Sequence, residues 1–88
     1  MAVNRQKLKL LYLMQMLEEE TDAEQGLTMA QILERLEALG ISAERKSIYR
    51  DIEALRAFGV DVRTYQRAPV EYAVEQRAFA FSELVLLV

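Results

Sequence analysis

The sequence predicts a mainly α-helical fold with a small β-hairpin near its end. Three stretches have helical character, and each is followed by a glycine: Gly26, Gly40 and Gly59. After Gly59 the pattern changes to alternation, in two short series separated by a turn: Val60, Val62 and Thr64, then Val70, Tyr72 and Val74. The predicted architecture is therefore three helices followed by a two-stranded hairpin.

The composition indicates one small folded domain. The chain has 88 residues, of which 52% are hydrophobic and 28% are charged, as is typical of a globular chain with a single core. Its net charge of −3 argues against indiscriminate binding to polyanions, although a net value does not show where the charges lie.

The residue types that are absent exclude several function classes. The chain contains no cysteine and no histidine, so it lacks the commonest metal ligands and the usual group for proton transfer near neutral pH. We therefore expect no metal, no cofactor and no enzymatic activity. A hydrolase that uses Asp51 and Glu53 is disfavoured, because side chains so close on one helix do not face each other across a substrate. The longest apolar stretch, residues 8–17, is too short to span a bilayer, so we expect no membrane contact.

Helix 1 is predicted for residues 4–20, with apolar side chains around nearly its whole circumference. A helix of this kind needs two packing partners. One is the core of the domain, and the other is expected to be a second copy of the chain or a segment outside it. The alternative is a helix that is central in its own domain.

Helix 2 has a clear predicted start. Thr28 and Gln31 fit a capping box, and Leu27 and Ile32 fit the hydrophobic staple that accompanies it. Gly40 stands where a left-handed residue is expected after the helix.

Helix 3 is predicted for residues 43–58, with Ser42 as its N-cap and Gly59 after its end. Two helices joined by a tight turn that contains glycine make a helix-turn-helix. The hairpin that follows is expected to turn at residues 66–69, and a helix-turn-helix with such a hairpin is a winged helix-turn-helix.

The end of the chain predicts the start of a fourth helix. Residues 79–88 offer Ser82 as a cap and stop within an apolar run. We therefore expect a winged helix-turn-helix domain at residues 1–78, followed by the start of a linker or helix that leads to a missing C-terminal effector domain. The residues expected at a homodimer interface are Leu10, Tyr12, Leu13, Met16, Phe81, Leu84 and Leu87.

Helix 3 carries the main candidate for a binding surface. In a helix-turn-helix the second helix enters the major groove of DNA, and its N-terminal half reaches base edges. The residues expected to read bases are Lys46, Ser47 and Arg50, and those expected to hold the backbone or adjacent bases are Arg45 and Tyr49. The alternative is that these are ordinary solvated charges, paired on the helix by Asp51 or Glu53.

Phosphate contacts are expected at three further places. Thr28 begins helix 2, where free backbone N–H groups favour an anion, and Arg63 and Arg67 lie on the hairpin. The alternative for Thr28 is that it only caps the helix. The alternative for Arg63 and Arg67 is that they are exposed charges that increase solubility. The basic start of helix 1 is a weaker candidate and consists of Arg5, Lys7 and Lys9. Glu53 is expected to support Arg50 or Arg56 by an ion pair.

Residues 27–59 resemble a known family. The specific part is Ser-Ile-Tyr-Arg-Asp-Ile-Glu-Ala-Leu at residues 47–55, together with Leu-Thr-Met-Ala at 27–30 and Phe-Gly at 58–59. This pattern is similar to the amino-terminal winged helix of bacterial WYL-domain transcriptional regulators, which are related to the DeoR-like type. The hairpin departs from the pattern, because residues 66–69 contain no glycine where similar proteins have a glycine-rich wing.

The resemblance extends over essentially all 88 residues and has functional implications. It implies a cytoplasmic, sequence-specific transcription factor that binds double-stranded DNA as a homodimer. Its missing C-terminal WYL domain would respond to a small molecule or another effector. The alternative function class is a winged helix used for protein–protein interaction or dimerisation, with helix 1 and residues 79–88 as its working surface.

Overall fold

The computed structural model describes residues 4–75 and contains three helices and a small antiparallel sheet. The helices are α1 (Arg5–Glu20), α2 (Met29–Ala38) and α3 (Arg45–Phe58). The strands are β1 (Leu27–Thr28), β2 (Val62–Tyr65) and β3 (Glu71–Val74), in the order β1-β3-β2. The fold is therefore mainly α with a β wing, as predicted and as is compatible with a winged helix.

The starts of α1 and α2 follow from their caps. The Asn4 carboxamide oxygen accepts hydrogen bonds from the backbone N–H groups of Gln6 and Lys7, which opens α1. At α2 both halves of the predicted capping box are present: the Thr28 hydroxyl accepts from Gln31 N at 3.2 Å, and the Gln31 side chain accepts from Thr28 N at 2.9 Å. Both boundaries are local; the start of α2 was predicted correctly, and α1 begins one residue after its predicted start.

The start of α3 was predicted wrongly. The helix begins at Arg45 rather than at residue 43, and its N-cap is Glu44, whose side chain makes no capping hydrogen bond. Ser42 therefore lies in the turn between α2 and α3 and does not cap α3. The end of α3 was predicted correctly, because Gly59 follows it in the left-handed conformation with φ of 117°.

The core lies between the three helices and the sheet. α1 contacts α2, α3 and β3, so it packs against both the helix-turn-helix and the sheet. Side chains with almost no exposed surface come from all three helices: Leu13, Leu17, Ile32, Leu36 and Ile48. This arrangement agrees with the alternative that α1 is central in its own domain.

Burial separates the α1 residues that were expected at a dimer interface. Leu13 and Met16 are only 0% and 5% exposed and belong to the core of the domain. Leu10 and Tyr12 are half-buried and pack against that core from its edge. Dimerisation stays a prediction, but the side chains of Leu13 and Met16 are occupied within the chain.

A third strand was not predicted. β1 pairs antiparallel with β3, with Leu27 opposite Tyr72 and Thr28 opposite Glu71. The Thr21 hydroxyl, just after α1, accepts a hydrogen bond from Val74 N at 2.9 Å and so joins α1 to β3. A strand of two residues is too short to show alternation, and its pairing depends on a partner more than forty residues away.

The two-stranded hairpin was predicted correctly. β2 and β3 pair antiparallel in a register that sets Val62 opposite Val74 and Tyr65 opposite Glu71. We call the hairpin at residues 62–74 the wing. The predicted domain boundary at residue 78, the fourth helix and the expected dimer residues Phe81, Leu84 and Leu87 lie outside the described residues. Among residues 4–75, the helices are all too short or too polar to cross a membrane.

The close approach of β1 to β3 gives a stability prediction. A Cβ atom at Gly26 would lie 2.7 Å from the backbone oxygen of Tyr72 and 2.9 Å from Glu71 Cβ, so Gly26→Ala must push the two segments apart. We expect this variant to lose about 1–3 kcal/mol of unfolding free energy, as overpacked sites do. Urea unfolding monitored by circular dichroism measures the loss.

Gln25→Ala is the matched control for this experiment. Gln25 is the exposed neighbour of Gly26, and its backbone N–H bond to Asp22 survives the change. It should lose less than about 0.5 kcal/mol, as surface substitutions usually do. Equal unfolding midpoints for Gly26→Ala and the unmodified chain would contradict the close approach.

Candidate nucleic-acid interface

The candidate site is the outer face of α3, which we define as Arg45, Lys46, Tyr49 and Arg50. Ile48, Ile52 and Leu55 form the opposite face of the helix and are at most 3% exposed. At helical spacing the four outer residues fall within an arc of about 140°. All four are exposed in the structure. The apolar stripe therefore fixes α3 to the core and turns these polar side chains to solvent.

The outer face is rich in cations that lack an acidic partner. Within residues 4–75, four cationic side chains make no ion pair and no hydrogen bond: Lys7, Arg45, Lys46 and Arg50. All of these except Lys7 belong to the outer face. Exposed positive charge without a local counter-charge is what attracts phosphate.

The carboxylates of α3 are occupied elsewhere, which argues against ordinary solvated ion pairs on the outer face. Asp51 Oδ2 lies 3.0 Å from Lys9 Nζ on α1. Glu53 Oε1 lies 2.6 Å from Arg56 NH1, one turn further along the helix. The expected support of an arginine by Glu53 is therefore found at Arg56. Neither acid neutralises Lys46 or Arg50.

Ser47 is separated from the other predicted base readers. It is half-buried on the flank of α3 that faces α1, and its hydroxyl accepts a hydrogen bond from Lys9 Nζ. Lys9 itself is 2% exposed, which contradicts the expectation that it contacts phosphate from the surface. The structure brings Arg45, Lys46, Tyr49 and Arg50 together but leaves Ser47 beside α1.

The two predicted arginines of the wing are held within the domain. Arg63 is paired with Asp61 at 3.1 Å and with Glu75 at 3.2 Å, and its hydrogen bond to Asp61 is the main cause of its raised pKa. Two carboxylates compensate the charge of Arg63, whereas the cations of the outer face have no acidic partner.

Arg67 is held in the same way. Its NH1 group is 2.5 Å from Glu71 Oε1 and donates to the Glu24 carbonyl at 3.0 Å, while its guanidinium lies 4.6 Å from the centre of the Tyr65 ring. The contact with Glu24 ties the wing to the loop that precedes β1. The other predicted phosphate contact, Thr28, is half-buried and uses its hydroxyl in the capping box of α2.

Two residues that matter for the outer face were missed in the sequence. Tyr72 on β3 interacts with Tyr49, and burial, followed by this interaction, raises the pKa of Tyr72. Arg56 donates to the Val62 carbonyl at 2.9 Å and to the Thr64 hydroxyl at 3.0 Å, which joins the end of α3 to β2. Both contacts connect α3 to the wing, and no local pattern signals either of them.

Glu71 gives a prediction for the pH dependence of stability. Its pKa is lowered from 4.5, first by the hydrogen bond from Gly26 N–H and then by the one from Arg67. A lowered pKa in the folded state stabilises the domain above the unfolded pKa, and this contribution is lost as the pH falls through the folded value. We therefore expect Glu71→Gln to flatten the fall of the melting temperature between about pH 5 and pH 3.

Glu34→Gln is the control, because it removes the same charge from an exposed position on α2. Melting curves over the acid range should show the unmodified slope for Glu34→Gln and a smaller slope for Glu71→Gln. The same slope in both variants would show that the Gly26–Glu71–Arg67 contacts do not stabilise the folded state.

Most of the chain matches a known protein family. The family described as FokI, D3 domain matches residues 8–67, which include all three helices from Leu8 onward, β1 and β2. No curated protein and no solved structure shows significant similarity to the chain. The comparisons support the winged-helix class and DNA as partner but not a WYL-domain regulator in particular. Since the match covers most of its length, the chain belongs to the FokI D3 family of DNA-binding, winged-helix-like domains.

Proposed function

We propose that this domain recognises the sequence of duplex DNA by placing α3 in the major groove. The observation that carries the proposal is the charge state of the outer face. Arg45, Lys46 and Arg50 are exposed cations without an acidic partner, whereas Arg63 and Arg67 are paired. Since unpaired cations lie on the helix that a helix-turn-helix directs into DNA, topology and electrostatics agree on one surface.

Each residue of the outer face has a chemically distinct role in the proposal. Lys46 and Arg50 are four residues apart and project from the same side of α3, so both can reach adjacent base edges. Arg50 offers a forked donor for guanine O6 and N7, and Lys46 offers a point charge for guanine or phosphate. Arg45 is the first residue of the helix and can contact the phosphate backbone of DNA. Tyr49, held by Tyr72, can donate to phosphate.

The distribution of acidic residues supports a single binding orientation. The N-terminal end of α1 contacts the turn between α2 and α3, because Arg5 NH1 donates to the Gly40 carbonyl at 3.2 Å. The acidic stretch at residues 18–24 begins at the other end of α1, about 20–24 Å away for a helix of 16 residues. Negative charge at that distance repels DNA from the wrong side and leaves the outer face of α3 as the attractive surface.

We further propose that the domain serves a transcription factor in the cytoplasm. The support is the resemblance of residues 47–55 to the recognition helix of WYL-domain regulators. In this proposal the chain acts as a homodimer on paired half-sites, and an effector acts on a C-terminal domain. Of the expected dimer residues that the structure describes, Leu10 and Tyr12 are the ones that stay partly exposed, at the edge of the core.

DNA binding is tested with a duplex that the 88-residue chain selects from a random library and with a scrambled duplex. Fluorescence anisotropy should show tighter binding to the selected duplex, with an affinity that falls steeply as salt rises. Arg50→Ala and Lys46→Ala should each weaken binding to the selected duplex by about 5- to 100-fold, the usual range for one base contact.

Three matched arginine variants act as controls. Arg35→Ala removes a partly exposed cation that is paired with Glu20, away from α3, and should change the affinity less than twofold. Arg63→Ala and Arg67→Ala should have smaller effects than Arg50→Ala, because carboxylates already compensate both arginines. Equal losses in all four variants would indicate a nonspecific charge effect. No binding to any duplex would favour the protein-interaction alternative.

A further inference from the structure

A buried ammonium group joins α1 to the recognition helix. Lys9 is 2% exposed, and its Nζ atom lies 3.0 Å from Asp51 Oδ2 and donates to the Ser47 hydroxyl. We call these three residues the clasp. Among the ion pairs between described residues, the Lys9–Asp51 pair has an almost fully buried cation. In each of the others, more than a third of the cationic side chain is exposed.

The clasp attaches α3 at two points. Ser47 and Asp51 are four residues apart, so they project from the same flank of the helix, one turn above the other. Removing an ammonium group from water is unfavourable unless nearby charge and hydrogen bonds compensate it. Lys9 is therefore held by an ion pair with Asp51 and by a hydrogen bond to Ser47. Such contacts restrict how far α3 rotates about its axis or slides along it.

The apolar stripe of α3 does not impose this restriction equally well. Contacts of Ile48 and Ile52 are not directional, so they define the rotation of α3 less sharply than a hydrogen bond and an ion pair do. The reading of bases is far more sensitive. A rotation of about 20° moves a side-chain tip by about 2 Å at a radius of about 6 Å from the helix axis. A hydrogen bond does not survive such a shift, because its atoms must stay within about 0.5 Å of their best distance.

The clasp lies next to the residues that would read bases. Ser47 follows Lys46 directly, and Asp51 follows Arg50 directly, so each attachment point adjoins a cation of the outer face. The far end of α3 is held separately, because Arg56 bonds to the Val62 carbonyl and the Thr64 hydroxyl. The clasp therefore sets the orientation of the N-terminal half of α3, where the unpaired cations are.

We propose that Lys9 is a positioning residue for DNA recognition: through Asp51 and Ser47 it sets the orientation of α3 and so determines discrimination between duplex sequences, without contacting DNA. This proposal rests on the proposed function for its effect on DNA. The first part of the proposal, that Lys9 orients α3, is inferred from the geometry of the clasp and can be measured without DNA.

The main variant replaces both charges of the clasp. Lys9→Met with Asp51→Leu nearly keeps the number of side-chain heavy atoms and leaves no unpaired buried charge, so the domain should still fold. The measurement is the discrimination ratio, which is the dissociation constant for a duplex with one base pair changed divided by that for the selected duplex. We expect the clasp variant to lose about tenfold in this ratio, the order of discrimination that one bidentate base contact supplies. Its affinity for a scrambled duplex should stay within about twofold, since the phosphate-binding charges of the outer face are retained.

The control is a second ion pair that joins two helices. Glu20→Gln with Arg35→Met removes the pair between α1 and α2, which lies away from α3. A merely structural loss would weaken all duplexes by the same factor and leave the discrimination ratio unchanged. The proposal requires the ratio to fall in the clasp variant and to stay within twofold in the control. An unchanged ratio in a folded clasp variant overturns it.

Residual dipolar couplings of backbone amides separate this proposal from the proposed function. They report the orientation of α3 relative to α1 and α2 in the absence of DNA. If the unmodified chain binds no duplex, the proposed function is wrong. The couplings then still test whether Lys9 sets the orientation of α3. Altered couplings in α3, in the clasp variant and not in the control, support that role, and unaltered couplings overturn it.

Ser47→Ala is a milder second variant. It removes one attachment point and keeps the ion pair of Lys9 with Asp51, so it decides the test if the double variant does not fold. We expect a smaller loss of discrimination, about two- to fivefold, with no change in affinity for the scrambled duplex. Discrimination equal to that of the unmodified chain would overturn the proposal.

Discussion

The arrangement of this domain depends on the burial of one face of α3 while the other face stays in water. Ile48, Ile52 and Leu55 are driven into the core by the hydrophobic effect, and their spacing leaves no choice about which side chains face outward. The opposite side of the helix carries Arg45, Lys46 and Arg50. Packing of the core and presentation of positive charge are thus two results of one amphipathic pattern.

Charge pairing then decides which cations remain available. The domain has a negative net charge, so a basic surface exists only where acids are engaged elsewhere. Asp51 is turned toward Lys9 inside the domain, and Glu53 is held by Arg56 further along α3. On the wing the opposite holds, because Arg63 and Arg67 each have carboxylate partners. Ion pairing elsewhere in the domain therefore leaves most of the unpaired positive charge of the described residues on α3.

The wing acts in the structure as a support. It has no glycine in its turn, and Arg67 ties it to the loop before β1 through the Glu24 carbonyl. Tyr72 holds Tyr49, and the end of α3 is bonded to β2 through Arg56. α3 is therefore held from the wing through Arg56 and from α1 through Ser47 and Asp51. This rigidity suits direct reading of bases, which tolerates little movement.

The sequence by itself determined the three helices and the hairpin, and it marked α3 as the candidate recognition helix. Caps such as Thr28, the left-handed Gly59 and the alternating strands are local signals, because a few neighbouring residues settle each of them. Only the tertiary structure decided that Lys9 is buried and that Ser47 faces α1. Their contact joins residues 38 positions apart, and no pattern within one helix specifies such a partner. Whether a charge is free or paired depends on what the fold brings beside it.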